Sequence, residues 1–392
     1  MRDFIQELRS FFRRCDMVLV LLCLATSAFG CLLLTSVTNA PKFGNSTRYL
    51  VVQILATVIG LILFFAISAL DLDFLSEHRV GLMGFNLFLL LLLTPFGTDN
   101  NTGNRSWLHF AFLPFNIQPA EFCKIFYIVT MASVMSSHQS RLSNYKSVAH
   151  MLAYLMVLFA VNMVISKDLG VSLIFIFIFA GMAFSGGVNL MWFALAIGIV
   201  VVGAPIVWPY LSPHQQNRLM YLINPSIDPN AQGVGWHTSE SLKSLTGGGL
   251  TGQGLFNGNR TQAGALYAQH TDYVFSSIGE ELGFLGCTLV VLSLLAIILR
   301  CIWVGTHTPD YMRRVVCFGA ASAMIFQVIS NVGMCIGVTP VIGLTLPLYS
   351  YGGSSIVATY MMLGWFPVST PDRRPAVTSD TSNPQDKRRT QL

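Results

Sequence analysis

Asp272 stands in the run His270-Thr271-Asp272-Tyr273-Val274-Phe275, followed by Gly279-Glu280-Glu281-Leu282-Gly283. A carboxylate at the rim of an apolar stretch has two ordinary uses. It caps the next helix, or it takes a proton from a reacting hydroxyl as a general base. A second group lies in Gln118-Pro119-Ala120-Glu121-Phe122-Cys123-Lys124. Pro119 suits the first turn of a helix, which sets Glu121 and Lys124 three residues apart on one face. Charges inside an apolar helix are costly and usually functional; the plain alternative is a mutual ion pair that reaches the outer interface. Arg105 and Trp107 stand just before, in Asn104-Arg105-Ser106-Trp107, and Lys167-Asp168-Leu169-Gly170 makes a third patch. Asp168 reads either as a helix N-cap or as part of a charge network with Lys124. His270 two residues before Asp272 is a weak metal signal on its own. The run Gly247 to Gly254 lacks a following Lys-Ser/Thr, so it is no nucleotide loop and reads as close backbone approach or a hinge.

The elements that carry these patches are membrane helices. Of 392 residues 53% are hydrophobic and 10% charged, against about 25% charged in a soluble domain. The apolar runs do not alternate with polar residues, so the spans are helices and not barrel strands. Ten are expected, at about 17–38, 49–70, 80–96, 120–137, 149–165, 169–185, 188–208, 282–304, 315–338 and 353–367. One large outer loop, 209–281, separates the seventh from the eighth. Residues 1–16 read as a cytoplasmic amphipathic segment, 17–368 as one membrane domain, and 369–392 as a disordered cytoplasmic tail. With both termini inside, cytoplasmic segments hold fifteen Lys and Arg and outer segments seven, which supports that orientation. The eight cysteines lie in or near spans or, for Cys15, on the cytoplasmic side, so neither disulfides nor a Cys-His metal site is expected.

Several motifs together resemble the SEDS family (shape, elongation, division and sporulation), the RodA/FtsW membrane glycosyltransferases of bacterial cell-wall synthesis. They are Arg105-Ser106-Trp107; Gln118 to Lys124; Asp168-Leu169-Gly170; Gly248-Gly249-Leu250-Thr251-Gly252-Gln253-Gly254; His270 to Phe275; Gly279 to Gly283; Asn331-Val332-Gly333-Met334; and Pro340 through Leu346-Pro347 to Ser355. Ser106, Ser166-Lys167, Gln253 and Ala268-Gln269 depart from the usual pattern. Asn331-Val332-Gly333-Met334 is closer to RodA and Gly343 to Pro347 closer to FtsW; the balance leans to RodA.

The resemblance implies polymerisation of lipid II at the outer face of the bacterial cytoplasmic membrane. It implies Asp272 as general base, with Arg105, Trp107, Glu121, Lys124, Asp168 and Glu280 engaging substrate. A divalent cation, Mg or Mn, is an expected helper; no nucleotide cofactor and no nucleic-acid partner is expected. The implied partner is a class B penicillin-binding protein, a transpeptidase. Small residues of the eighth and ninth spans, including Gly283, Gly286, Gly319, Ala320, Ala321, Ser322 and Ala323, are the faces expected to meet it. An outward site has no nucleotide sugar, so the donor must bring its own lipid pyrophosphate leaving group. An α-linked donor giving a β-linked product needs one inverting displacement and a single base, unlike a retaining glycosidase. The alternatives are a lipid II flippase and a non-catalytic scaffold for a transpeptidase.

Asp272→Ala and Asp272→Asn should both abolish glycan polymerisation while membrane insertion is kept. Asparagine caps helices as well as aspartate does but takes no proton. An active Asp272→Asn protein in a lipid II polymerisation gel rejects the base assignment.

Overall fold

The computed structural model describes residues 15–366, apart from 45, 99–104, 111, 112, 114, 211, 212 and 231. The predicted amphipathic segment, apart from Cys15 and Asp16, lies outside the described residues, as do Asn104 and the predicted tail.

Helices stand at all ten predicted positions. They are α1 (Met17–Val37), α2 (Ser46–Ser68), a short α3 (Leu72–Glu77), α4 (Arg79–Leu91) continued by α5 (Leu93–Phe96), α6 (Pro119–Ser137), α7 (Tyr145–Ile165), α8 (Leu169–Gly186) and α9 (Leu190–Val207). After three loop helices, α10 (Pro213–Ile223), α11 (Trp236–Gly248) and α12 (Asn259–Gln262), come α13 (Val274–His307), α14 (Tyr311–Cys335) and α15 (Gly353–Leu363). Seven are long and apolar enough to cross a membrane: α1, α2, α4 with α5, α7, α8, α13 and α14. Helices α9 and α15 are shorter apolar helices, and α6 carries Glu121 and Lys124. This is a polytopic all-helical membrane protein.

Local chemistry starts these helices where the sequence changes character. Asp16, Asn144, Asp168, Asn189 and Asp310 each accept a backbone N–H of the first turn of α1, α7, α8, α9 and α14, which satisfies donors that a helix start leaves free. Pro119 opens α6, where its missing N–H costs nothing. Two short strands, β1 (Gly97–Thr98) and β2 (Trp107–Leu108), pair antiparallel before α6.

Helix α14 forms the centre, with 72% of its apolar window buried, against 22% for the α4–α5 span. It packs on α8, α13 and α6. Its small residues make that approach close. A Cβ on Gly319 would touch Met182 and Ile128, and one on Gly181 of α8 would collide with Ser322. Ala320, Ala321 and Ala323 are fully buried. The expectation that these residues offer a partner surface is therefore corrected: their small size is used inside the chain. Gly283 and Gly286 are likewise buried, facing Leu250 with Gly252, and Leu282.

The eighth span is preceded by a helical segment: α13 runs from Val274, but its backbone breaks at Gly283 (φ 66°, ψ −162°), and the stretch after the break stands where the span is expected. The glycine run explains it. At the break the Glu280 and Glu281 carbonyls accept from the Gln253 and Gly254 amides (2.9 and 2.9 Å), and the Phe284 and Leu285 amides donate to the Gly249 and Leu250 carbonyls (2.9 and 3.2 Å). The loop is spliced into the helix, and two carbonyls and two amides stranded by the break are paired by it. The approach is backbone to backbone: a Cβ on Gly248 or Gly252 would collide with the Gly279 or Glu281 carbonyl. Glu280 and Glu281 thus sit in a buried helical turn just before the break, at the head of the eighth span.

Gly252 also has φ +83°, so Gly252→Ala meets both a left-handed backbone and a clash and should cost about 1–3 kcal/mol. Gly198→Ala, on α9 in open space, should instead gain up to about 1 kcal/mol of helix propensity. Thermal unfolding in detergent should move in opposite directions for the two variants; equal shifts reject the splice as a stabilising contact.

Candidate active site

Asp272 lies in the turn before α13, and neighbours from two distant segments fix its backbone. The Asn331 side-chain amide on α14 donates to the Asp272 carbonyl (2.9 Å) and to the Leu344 carbonyl (2.6 Å). Ser350 donates to the Thr271 carbonyl (2.5 Å) and accepts from the Leu346 amide (2.8 Å). The Tyr351 amide donates to the His270 carbonyl (2.8 Å). The carboxylate is left freer than the backbone. The N-cap of α13 is Tyr273, without a side-chain cap bond, so Asp272 does not serve as the cap. Gly343, at φ +66°, leaves room beside Oδ2, where a Cβ would come within 3.5 Å. Burial pushes the Asp272 carboxyl up to about 6; the Thr271 hydroxyl bond opposes this and the Asp168 charge adds to it. A base in that range is ionised at neutral pH yet basic enough to accept a proton. His270 is not its proton partner. Its ring packs against Phe43, Tyr49 and Tyr351, and burial, with the Lys42 charge, lowers it to about 4.

Asp168 caps α8 through the Val171 amide (3.1 Å) and also accepts from Ser106 (3.3 Å) and Gln118 (3.5 Å). It thereby ties the Arg105–Trp107 segment to the start of α6. Burial raises its carboxyl, the bonds from Val171 and Ser106 lower it, and the nearby Glu121 charge raises it. Lys124 instead pairs with Glu121 at 2.7 Å and donates to Gln327 on α14 at 3.3 Å. Lys124 is 1% exposed and Glu121 3%. The pair forms as the i, i+3 spacing predicts, but it is sealed inside the bundle and does not reach the interface.

Glu280 is placed apart from these groups. Its carboxylate accepts from the Arg260 amide (2.7 Å) and from the amide and hydroxyl of Thr261 (2.9 and 2.7 Å), so it holds α12 onto α13. Arg105 is exposed and Trp107 half-buried in β2. Arg105 and Lys167 line one groove of about 790 Å³, walled by Leu91, Leu93, Val161 and Val164 among others. An apolar trough with two cations at one end fits a lipid carrying phosphate.

Sequence reasoning missed several of these positions as site residues. Lys167 has φ 56°, a costly conformation for a non-glycine residue; nothing local in the sequence signals it. Arg218 on α10 donates to the Val341 carbonyl (3.0 Å) and so holds the strand of chain leading to Gly343. Gln327 and Asn331, one turn apart on α14, connect Lys124 to Asp272; the spacing four would have placed them on one face. Among the described residues no group of three or more His, Cys, Asp and Glu side chains is arranged to hold a metal ion.

Lys124→Ala should leave Glu121 buried without its partner and cost about 3–5 kcal/mol, with loss of turnover. Lys124→Arg should restore stability only in part, since a planar fork replaces a point charge. The double variant Glu121→Gln/Lys124→Gln should recover stability but not activity. A fully active Lys124→Ala protein with an unchanged melting temperature overturns this reading.

Comparison with known proteins gives the family. The family profile described as "Cell cycle protein", covering FtsW, RodA and SpoVE, matches residues 13–367. The chain is 30% identical over 356 residues to a probable peptidoglycan glycosyltransferase FtsW of Trichlorobacter lovleyi, covering 89% of this chain and 91% of that one. It is 30% identical over 355 residues to the stage V sporulation protein E of Bacillus subtilis, covering 89% and 95%. A chain from a solved peptidoglycan synthase complex, described as coordinating polymerization and crosslinking, superposes with TM-score 0.73 at 28% identity, covering 89% and 96%. FtsW and the sporulation protein stand at the same identity, so similarity gives the family and not the branch. The chain belongs to the FtsW/RodA/SpoVE family.

Proposed function

We propose that the protein is a peptidoglycan glycosyltransferase that polymerises lipid II, with Asp272 as general base. The observation that carries this reading is a carboxylate raised to about 6, on a backbone clamped by Asn331 and Ser350, that caps no helix. The acceptor sugar hydroxyl gives its proton to Asp272 as its oxygen attacks the anomeric carbon of the donor. The bond from that carbon to the lipid pyrophosphate breaks, and the configuration inverts. Arg105 and Lys167 at the groove stabilise the departing pyrophosphate, while the leaving group's prenyl chain lies along the apolar walls. Lys124, closed off with Glu121, acts through Gln327 on the position of α14. Such base assistance is worth about 10²–10⁴-fold.

A divalent cation would find too few protein ligands here to be held by side chains alone; Asp168 and Asp272 could share it only with the pyrophosphate oxygens. The protein is multi-pass in the membrane. Its Asp272 face is outward, with both termini cytoplasmic, as the lysine and arginine bias supports. A class B penicillin-binding protein is the proposed partner that crosslinks the strands made here, consistent with the similar chain in a synthase complex.

Purified protein given lipid II separates this reading from a flippase or a scaffold, because only a polymerase yields glycan strands on a gel. Below about 6 the Asp272 carboxyl is protonated and cannot accept a proton; above it the carboxylate is free. Polymerisation rate should therefore fall as pH drops through about 6 and level off above it. A rate that is flat across this range, with lipid II binding unchanged, rejects Asp272 as the base.

A further inference from the structure

The furrow between α4 and α7 has a second stretch at the end remote from Asp272. Val80, Gly84 and Leu87 from α4 face Ala153, Tyr154 and Val157 from α7 across about 350 Å³. From Val80 to Leu87 the walls run two turns, about 10 Å of helix. Gly84 keeps this stretch open, since a Cβ there would meet nothing within 4 Å. Donors gather at the mouth. Arg79 opens α4 and reaches Ser137 (2.8 Å). The His138 and His150 rings meet at 3.4 Å, and the His150 ring packs on Tyr154 of the wall at 5.3 Å. Lys146 stands one turn before His150 and is exposed. Glu77 is close in sequence, but among the described residues no carboxylate pairs with Arg79.

We infer that this inner furrow binds one anionic phospholipid of the leaflet remote from Asp272, its phosphate at Arg79 and the His138–His150 pair and one acyl chain beside Gly84. Charge complementarity selects the occupant. An unpaired guanidinium beside two imidazoles recognises a phosphodiester, and an open apolar trough in the lipid zone takes a chain and not a peptide backbone, whose polar groups would go unsatisfied there. No residue of the Asp272 site lines this furrow, and lipid binding there is independent of the proposed reaction.

The test is lipid retention by the full-length protein in mild detergent, loaded with equal phosphatidylglycerol and phosphatidylcholine and read by native mass spectrometry. Phosphatidylglycerol should be retained preferentially, and Arg79→Ala should lower that preference about fivefold. Gly84→Leu fills the trough and should lower retention with the basic mouth intact. Gly81→Leu, also in open space but outside the trough wall, should not. Equal retention of the two lipids by the unmodified protein, or equal retention by Gly84→Leu and Gly81→Leu, overturns the proposal. So does full displacement by glycerol phosphate, which marks a free-anion site, or by polyprenyl phosphate, which marks an extension of the substrate groove.

Discussion

Both hydrogens of the Asn331 amide go to main-chain carbonyls, those of Asp272 and Leu344. These carbonyls belong to the two irregular stretches that form the site, one before α13 and one before α15. Irregular backbone near lipid survives only where its polar groups find partners within the protein. Asn331 supplies such partners from the most enclosed of the seven long apolar helices, and Ser350 and Tyr351 add two more bonds between the same stretches. The result is a rigid main chain around a carboxylate with few bonds of its own. That division suits a general base, which needs a fixed position and a free lone pair.

The same constraint governs the break in α13. A helix interrupted within the chain leaves carbonyls on one side of the break and amides on the other without helical partners, and the glycine run of the outer loop takes two of each. Glycine is needed because the two main chains touch. Glu280 and Glu281 then bind the loop from the other side. Glu280 holds α12, and Glu281 accepts from Ser36 and Gln262 (2.6 and 2.7 Å). The acidic pair therefore anchors the loop, which leaves Asp272 as the carboxylate proposed to act as base.

Charge is distributed by depth. Glu121 and Lys124 neutralise one another inside the bundle, where an unpaired charge would be very costly. Arg105 and Lys167 line an apolar groove, where the proposed reaction would use them against an anionic leaving group. Asp168 joins the two zones, since it caps α8 while accepting from Ser106 and Gln118. At the opposite membrane face Arg300 binds Asp16 through two bonds (2.8 and 3.1 Å), locking α13 to the start of α1.

The sequence by itself determined the features that depend on neighbours in the chain. Apolar runs marked where helices stand, Pro119 opened α6, the spacing of three paired Glu121 with Lys124, and Asp168 could be read as an N-cap. Its motifs also identified the family. Tertiary structure decided whatever depends on residues far apart. Asn331 meets Asp272 across 59 positions and Lys124 meets Gln327 across 203, and no periodicity reports such contacts. Gly283 reads as a helix boundary and is one; what was hidden is the helical segment ahead of it, from Val274, which the glycine loop holds against the break. The small residues of α14 looked like a partner surface because size alone does not say which neighbour uses it; α8 and α6 do. Asp272 itself was visible as a candidate, but only the packed structure shows that Tyr273 stands at the helix start and that burial, not capping, sets the carboxyl's character.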